Sequence, residues 1–173
     1  MTDAPAAGEI SELDADAIFR ALVDNGVEFL VIGGLAVAVH GYPRATKDVD
    51  VVPGPGLVNA GRLYAALSAI DARLIEIGDF RPDELPVEFS QDGLAFGGNW
   101  ALHTRHGRVD VMQRVPGIGG YDDLIANAID VEVRGVGTVR FAGYEDMVVM
   151  KQTAGRGQDQ EDLERLKEAR GEG

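Results

Sequence analysis

The sequence of 173 residues contains no cysteine, which excludes disulfides, thiolate zinc sites, iron-sulfur clusters and a cysteine nucleophile together. Long apolar runs are also missing, because no uncharged stretch approaches the roughly 18 residues that a membrane-spanning helix needs. The first 16 residues carry five acids and no base, unlike the basic start of a secretory signal. We therefore expect a cytoplasmic protein that has no membrane partner.

Basic residues are scarce, since 16 Lys and Arg stand against 29 Asp and Glu and give a formal net charge of −13. An acidic surface disfavours broad binding to nucleic acid, because neutralising phosphates supplies most of that affinity. The charge reverses between residues 95 and 115, where Arg105, Arg108 and Arg114 accompany one acid, Asp110. This basic stretch could still hold a phosphate.

What the sequence does contain is enough apolar material for one core, with 45% hydrophobic residues. We predict an α/β (α+β) protein without internal repeats. Residues 1–11 are predicted to form a flexible tail. Residues 12–173 are predicted to form one domain, of which residues 143–173 make a C-terminal helical part.

Hydrophobic periodicity and turn residues predict alternating helices and strands. The first helix is predicted to be capped by Asp14 and to end near residue 24. The other predicted helices are 35–40, 58–70, 121–127, 144–154 and 159–169. The predicted strands are 29–32, 45–52, 73–77, 87–89, 100–104 and 108–113, with a hairpin over 131–140.

The most informative segment is residues 29–53, which read FLVIGGLAVAVHGYPRATKDVDVVP. Strand side chains alternate between faces, so an extended chain from Arg44 onward places four polar residues on one face: Arg44, Thr46, Asp48 and Asp50. Two carboxylates side by side repel each other and add nothing to a strand's stability. A divalent cation such as Mg²⁺ would remove that conflict. The alternative is an exposed strand edge whose carboxylates are simply solvated.

A site with one or two Mg²⁺ ions needs a further carboxylate, for which Asp110 is the best candidate. It lies in the strand predicted over 108–113, and pairing of that strand with 45–52 would bring the three carboxylates together. Asp110 could then act as the general base. The alternative for Asp110 is a salt bridge with Arg108 or Arg114.

Gly33 and Gly34 end the first predicted strand and open a helix. Free backbone N–H groups there favour anions, and the lack of Cβ atoms would let a triphosphate approach the backbone. The alternative is a simple turn between strand and helix. Arg44 would add a cation near this diglycine turn.

The stretch from Ile32 to Val52 resembles the nucleotidyltransferase superfamily with the polymerase-beta-like fold. A second motif, Met150-Lys151-Gln152-Thr153-Ala154-Gly155-Arg156 followed by Asp159 and Asp162, is most similar to the AbiEii and MenT group of toxin nucleotidyltransferases. The resemblance implies a small mixed sheet flanked by helices, with helices at the C-terminal end. It also implies Mg²⁺-dependent transfer of a nucleoside monophosphate from an NTP. In the toxin group the acceptor is the 3′ end of tRNA, and a cognate antitoxin is the expected protein partner.

The resemblance also implies roles for individual residues. Metal is expected on Asp48, Asp50 and Asp110, which with Lys151 form the predicted catalytic set. Nucleotide binding is expected at Gly33, Gly34, Arg44, Thr46, Lys151, Arg156 and Asp159. Leu35 departs from the family pattern, which often has Ser after the glycine.

The second motif has structural alternatives. Lys151 could be a solvated residue in the last turn of its helix, and Asp159 could be the N-cap of the last helix with Asp162 at position N3. Two other functions stay open as well: nucleotidylation of a small molecule such as an aminoglycoside or lincosamide, and an inactive fold that binds a partner protein.

Overall fold

The computed structural model describes residues 12–75 and 88–172. The tail predicted over 1–11 lies outside these residues, as do residues 76–87, which include the end of the strand predicted over 73–77 and the start of the strand predicted over 87–89. The start of the first of these strands is confirmed, because residues 73 and 74 form a strand. The helices are α1 Ala15–Asp24, α2 Gly33–Val39, α3 Leu57–Ala69, α4 Gln91–Phe96, α5 Tyr121–Leu124, α6 Tyr144–Ala154 and α7 Gly157–Ala169, with a 3₁₀ turn at Ile125–Asn127. The strands are β1 Phe29–Ile32, β2 Asp48–Pro53, β3 Arg73–Leu74, β4 Asn99–Thr104, β5 Gly107–Met112, β6 Ile129–Val133 and β7 Gly137–Phe141.

The described strands form one mixed sheet in the order β3-β4-β5-β2-β1-β7-β6. β2 runs parallel to β5 and β1 runs parallel to β7, whereas the other neighbours are antiparallel. The predicted mixed sheet with flanking helices and two C-terminal helices is confirmed. β2 is the central strand of the described sheet, so its aspartates do not lie on an exposed edge strand.

Local sequence accounts for the first elements. The side chain of Asp14 accepts a hydrogen bond from the backbone N–H of Ala17 and so caps α1, as predicted. The apolar face of α1 is buried through Ile18, Phe19 and Leu22. All four residues of β1 are buried, as expected for a short, uninterrupted apolar run. Within the described ranges, no helix is both long and apolar enough to cross a bilayer.

The predicted starts of α2 and β2 were wrong. α2 begins at Gly33 rather than at residue 35, so the two glycines form its first turn. β2 begins at Asp48, and residues 44–47 are not part of the strand. Described residues 88 and 89 are not strand either, because they lead into α4, which was not predicted. The side chain of Ser90 caps α4 by accepting a hydrogen bond from Gly93 N–H.

α7 begins at Gly157, two residues before the predicted start. Gly155 adopts a left-handed conformation with φ of 63° and ends α6, so the chain can turn immediately into the next helix. Asp159 is therefore position N3 and not the predicted N-cap, and Asp162 lies one turn further on. At N3 the Asp159 side chain accepts a hydrogen bond from the backbone N–H of Arg156, which is the N-cap residue.

Candidate active site

One cleft of about 830 Å³ is lined by all ten residues that the sequence singled out. It lies between the start of α2, the segment before β2, strands β2 and β5, and the junction of α6 with α7. The ten residues are Gly33, Gly34, Arg44, Thr46, Asp48, Asp50, Asp110, Lys151, Arg156 and Asp159. Residues far apart in sequence therefore meet at one place.

Three carboxylates converge on the sheet side of the cleft. In the parallel pairing of β2 with β5, Asp50 stands opposite Asp110. Val49 and Val51 alternate with Asp48 and Asp50 along β2 and are fully buried on the other face of the sheet, so both aspartates project into the cleft. One oxygen from each of the three aspartates lies within 4.8 Å of the others. The predicted strand pairing and the predicted convergence are both confirmed, and we call these three residues the carboxylate triad.

The triad is electrostatically strained. Burial, together with the negative charges of Asp48 and Asp110, raises the pKa of Asp50 to about 7. Burial and then the charge of Asp110 raise the pKa of Asp48, with Arg108 opposing them. Clustered carboxylate oxygens are ligands that hard divalent cations prefer. A cation between them would offset the repulsion, so the triad could hold a metal ion.

Arg108 already neutralises part of the triad. Its Nε donates a hydrogen bond to Asp110 Oδ1 at 2.9 Å and lies 3.9 Å from Asp48 Oδ2. The sequence offered two roles for Asp110, a metal ligand or a salt-bridge partner of Arg108 or Arg114. The structure places Asp110 in the triad and also in a salt bridge with Arg108. Arg105, on the same hairpin, pairs with Asp71 at 3.2 Å. Acids therefore offset part of the predicted basic stretch.

The diglycine turn packs directly against the triad. Gly33 has a φ of 74°, and a Cβ atom there would overlap Asp50 Oδ2. A Cβ atom at Gly34 would overlap the methyl group of Thr46 and lie 3.2 Å from both terminal nitrogens of Arg44. The glycines are required because the protein's own side chains occupy that space, a reason the sequence did not reveal.

A cluster of charges, whose lysine and two aspartates are buried, closes the other side of the cleft. Lys151 Nζ lies 3.2 Å from Asp159 Oδ1 and 3.0 Å from Asp162 Oδ2. Arg156 Nε lies 2.9 Å from Asp159 Oδ2, and Arg44 forms two hydrogen bonds with Asp162. Lys151 is only 7% exposed, so the alternative of a solvated lysine is wrong. We call these five residues the Lys151 cluster.

Asp162 was not among the predicted site residues, although its side chain is completely buried. Its signal in the sequence was indirect: it lies one helical turn after Asp159 and four residues before Leu166, which is also buried. A carboxylate on the buried face of a helix needs charged partners. Sequence alone did not identify those partners, because Arg44 lies 118 residues away.

The carboxylates of the Lys151 cluster have lowered pKa values. Burial by itself would raise the pKa of Asp159, but hydrogen bonds from Arg156 and Lys151 outweigh it. Burial likewise acts upward on the pKa of Asp162, and hydrogen bonds from Arg44 and Lys151 outweigh it in turn. Both aspartates are therefore held ionised, whereas the pKa of Asp50 is raised.

Asp159→Asn tests whether the pKa of Asp159 is lowered in the folded protein, through the pH dependence of the free energy of unfolding. A carboxyl whose pKa is lower in the folded than in the unfolded chain stabilises the fold above its unfolded pKa, and the stabilisation is lost as pH falls through the folded pKa. We expect the variant to unfold about 1–3 kcal/mol more easily near neutral pH, with a gap that shrinks below about pH 4. Urea unfolding of both proteins between about pH 7 and 3 measures the gap. A gap that stays constant across that range would contradict the assignment.

The cleft also has an apolar side that sequence reasoning did not single out. It is formed by Met112, Val115, Pro116, Met147 and Met150. Met112 follows Asp110 on the same face of β5, whereas Met147 precedes Lys151 by one turn of α6. The cleft therefore offers a ligand three kinds of surface: the anionic triad, the cations of the Lys151 cluster and this apolar side.

Comparison with solved structures shows the same fold in other proteins. The lincosamide antibiotic adenylyltransferase LnuA, bound to lincomycin, is 15% identical over 92% of this chain and 99% of that chain, with a TM-score of 0.60. ANT(2″)-Ia in complex with adenylyl-2″-tobramycin is 14% identical over 88% and 85%, with a TM-score of 0.56. A protein from Thermotoga maritima that is described as a nucleotidyltransferase is 17% identical over 87% of this chain and 88% of that chain, with a TM-score of 0.50.

At these identities the likeness shows the fold alone. No curated protein matches the sequence at a significant level. A family described as "Nucleotidyltransferase of unknown function (DUF6036)" matches residues 10–167. The match spans every residue of the carboxylate triad and the Lys151 cluster, whereas the finer likeness to the AbiEii and MenT group stays a prediction. The chain belongs to this nucleotidyltransferase family.

Proposed function

We propose that this protein transfers a nucleoside monophosphate from an NTP to an acceptor hydroxyl, with Asp48, Asp50 and Asp110 as ligands for Mg²⁺. The observation that carries the proposal is the carboxylate triad on two paired parallel strands, open to the cleft. A cation would offset the repulsion between Asp50 and its two carboxylate neighbours, which with burial raises the pKa of Asp50. When bound there, Mg²⁺ neutralises charge on the reacting phosphate and lowers the pKa of a coordinated hydroxyl.

In the proposed reaction each group of cleft residues has a separate role. Asp110 accepts the proton of the acceptor hydroxyl, whose oxygen forms a bond with the α-phosphorus. The bond from the α-phosphorus to the bridging oxygen breaks, and pyrophosphate leaves. Arg44 and Lys151 donate hydrogen bonds to phosphate oxygens, and the diglycine turn borders the place of the leaving group. Thr46, Arg156 and Asp159 complete the proposed nucleotide site, in which the buried Asp159 holds Lys151 and Arg156.

The acceptor is a separate question from the reaction. The net charge of −13 weakens association with a polyanion, so a small hydroxylated acceptor, cationic ones in particular, is favoured. The lincosamide and aminoglycoside enzymes among the structural neighbours indicate which acceptors to test first. Transfer to the 3′ end of tRNA, with a cognate antitoxin as partner, is the prediction that follows from the resemblance to the toxin group.

Label transfer from each α-labelled NTP tests the proposal. The protein is incubated with Mg²⁺ and with lincosamides, aminoglycosides or total tRNA in parallel. Mg²⁺-dependent labelling of a small acceptor supports the favoured acceptor class, and labelling of tRNA supports the toxin prediction instead. If no NTP binds and none gives label transfer or pyrophosphate release, the proposed reaction is wrong and the alternative of a partner-binding protein gains support.

A further inference from the structure

Asp162 connects three parts of the chain from behind the cleft. It lies on α7, whereas Arg44 precedes β2 and Lys151 lies in the last turn of α6. Arg44 Nε donates to Asp162 Oδ1 at 2.9 Å and Arg44 Nη2 donates to Oδ2 at 3.0 Å. Lys151 Nζ lies 3.0 Å from the same Oδ2. Both cations line the cleft, and Asp162, fully buried, holds them from the opposite side.

The pairing with Arg44 is bidentate and therefore directional. A guanidinium that shares two hydrogen bonds with one carboxylate has its plane and its position fixed, which a single point charge does not achieve. That guanidinium is held against Gly34, where a Cβ atom would lie 3.2 Å from Nη1 and Nη2. Gln158 donates a fourth hydrogen bond to Asp162 at 3.1 Å and restrains the carboxylate itself.

Stability alone is a poor reason for this arrangement. Replacing buried ion pairs by apolar residues of similar size is often neutral or stabilising, because desolvation offsets much of the attraction. The Lys151 cluster contains three cations and two anions, so it faces the anionic triad with a net positive charge. Such a balance suits a site that must hold a phosphate chain between fixed cations.

We infer that Asp162 is a positioning residue for NTP binding, which fixes Arg44 and Lys151 at the phosphate side of the cleft. The inference rests on the proposed function and extends it to a side chain that does not line the cleft. Losing Asp162 would leave both cations charged, but Arg44 would lose the two hydrogen bonds that fix its guanidinium and Lys151 would lose one of the two carboxylates that hold it. Phosphate binding would weaken, because hydrogen bonds to charged groups depend on their alignment.

Asp162→Asn tests the inference through the Kd of each NTP, measured calorimetrically in the presence of Mg²⁺. We expect that Kd, and the KM for NTP, to rise about tenfold to a hundredfold, with a smaller fall in kcat at saturating NTP. Glu161→Gln is the matched control. Glu161 lies on the exposed side of the same helix and accepts a hydrogen bond from Tyr42, so its loss is expected to leave NTP binding unchanged.

Arg44→Lys changes the other partner of the Arg44–Asp162 contact and leaves Asp162 in place. Lysine keeps the positive charge but cannot share two parallel hydrogen bonds with a carboxylate. If position matters, this variant also binds NTP more weakly, and combining it with Asp162→Asn adds little further loss. A merely structural role would instead lower the unfolding free energy without this non-additive loss of NTP binding.

The outcomes separate the two claims. A wild-type protein that binds NTP, together with folded Asp162→Asn and Arg44→Lys variants that bind it equally well, would overturn the inference and leave the proposed function intact. A wild-type protein that binds no NTP would overturn both. If Asp162→Asn does not fold, Arg44→Lys still tests the inference, because undiminished NTP binding by that variant would overturn it, whereas weakened binding agrees with it.

Discussion

Asp50→Asn is expected to lower nucleotidyl transfer by at least about a thousandfold, which corresponds to about 4 kcal/mol of transition-state stabilisation. The pKa of Asp50 is raised to about 7, and its strand pairing places it opposite Asp110 in the sheet. An asparagine side chain has nearly the same shape but lacks the charge that a metal ion needs. Steady-state label transfer from an α-labelled NTP measures the loss.

The fold is expected to survive this substitution. Burial and two neighbouring carboxylates raise the pKa of Asp50 to about 7, so its ionised form destabilises the metal-free protein. The variant should therefore unfold at the same or a higher urea concentration than the wild type. Asp130→Asn, which removes an exposed carboxylate paired with Arg140, is the matched control and should retain full activity. Undiminished transfer by a folded Asp50→Asn protein would contradict the metal assignment.

Gly33→Ala is expected to lower the free energy of unfolding by about 2–4 kcal/mol and to reduce transfer by about a hundredfold or more. The backbone of Gly33 has a φ of 74°, which an alanine adopts only with strain. Its Cβ atom would also overlap Asp50 Oδ2, so the carboxylate must move away from its partners. Urea unfolding and label transfer measure the two effects.

Gly171→Ala separates backbone strain from the overlap with Asp50. Gly171 has a φ of 79°, close to that of Gly33, but nothing lies within 4 Å of its Cβ position. We expect this control to lose about 1–2 kcal/mol at most and to keep its activity. If Gly33→Ala is no more harmful than Gly171→Ala, the close packing of the diglycine turn against the triad is not important for the site.

The triad could be predicted from sequence because its signals are local. Alternation along β2 places Asp48 and Asp50 on one face whatever the rest of the chain does, and Val49 and Val51, which alternate with them, indicate the buried face. Asp110 required one further assumption, that its strand pairs with β2. A similar alternation in β5, with Val109 and Val111 buried, supported that assumption.

The Lys151 cluster could not be derived in the same way. Its ion pairs join residues on α6 and α7 to Arg44, more than 100 positions earlier, and such contacts depend on how the helices pack. The wrong start of α7 has a local cause. The left-handed turn at Gly155 lets α7 begin at Gly157, whereas the sequence equally allowed Asp159 as a cap.

Three aspartates on two paired strands are proposed to hold a divalent cation, and Mn²⁺ binding to the metal-free protein tests this proposal most directly. Electron paramagnetic resonance counts free Mn²⁺ in the presence of an NTP, for the wild type and for Asp48→Asn, Asp50→Asn and Asp110→Asn. The wild type is expected to bind Mn²⁺, and each substitution to weaken binding by about tenfold or more, as expected for the loss of one charged ligand. Equal Mn²⁺ affinity in all four folded proteins would contradict the account.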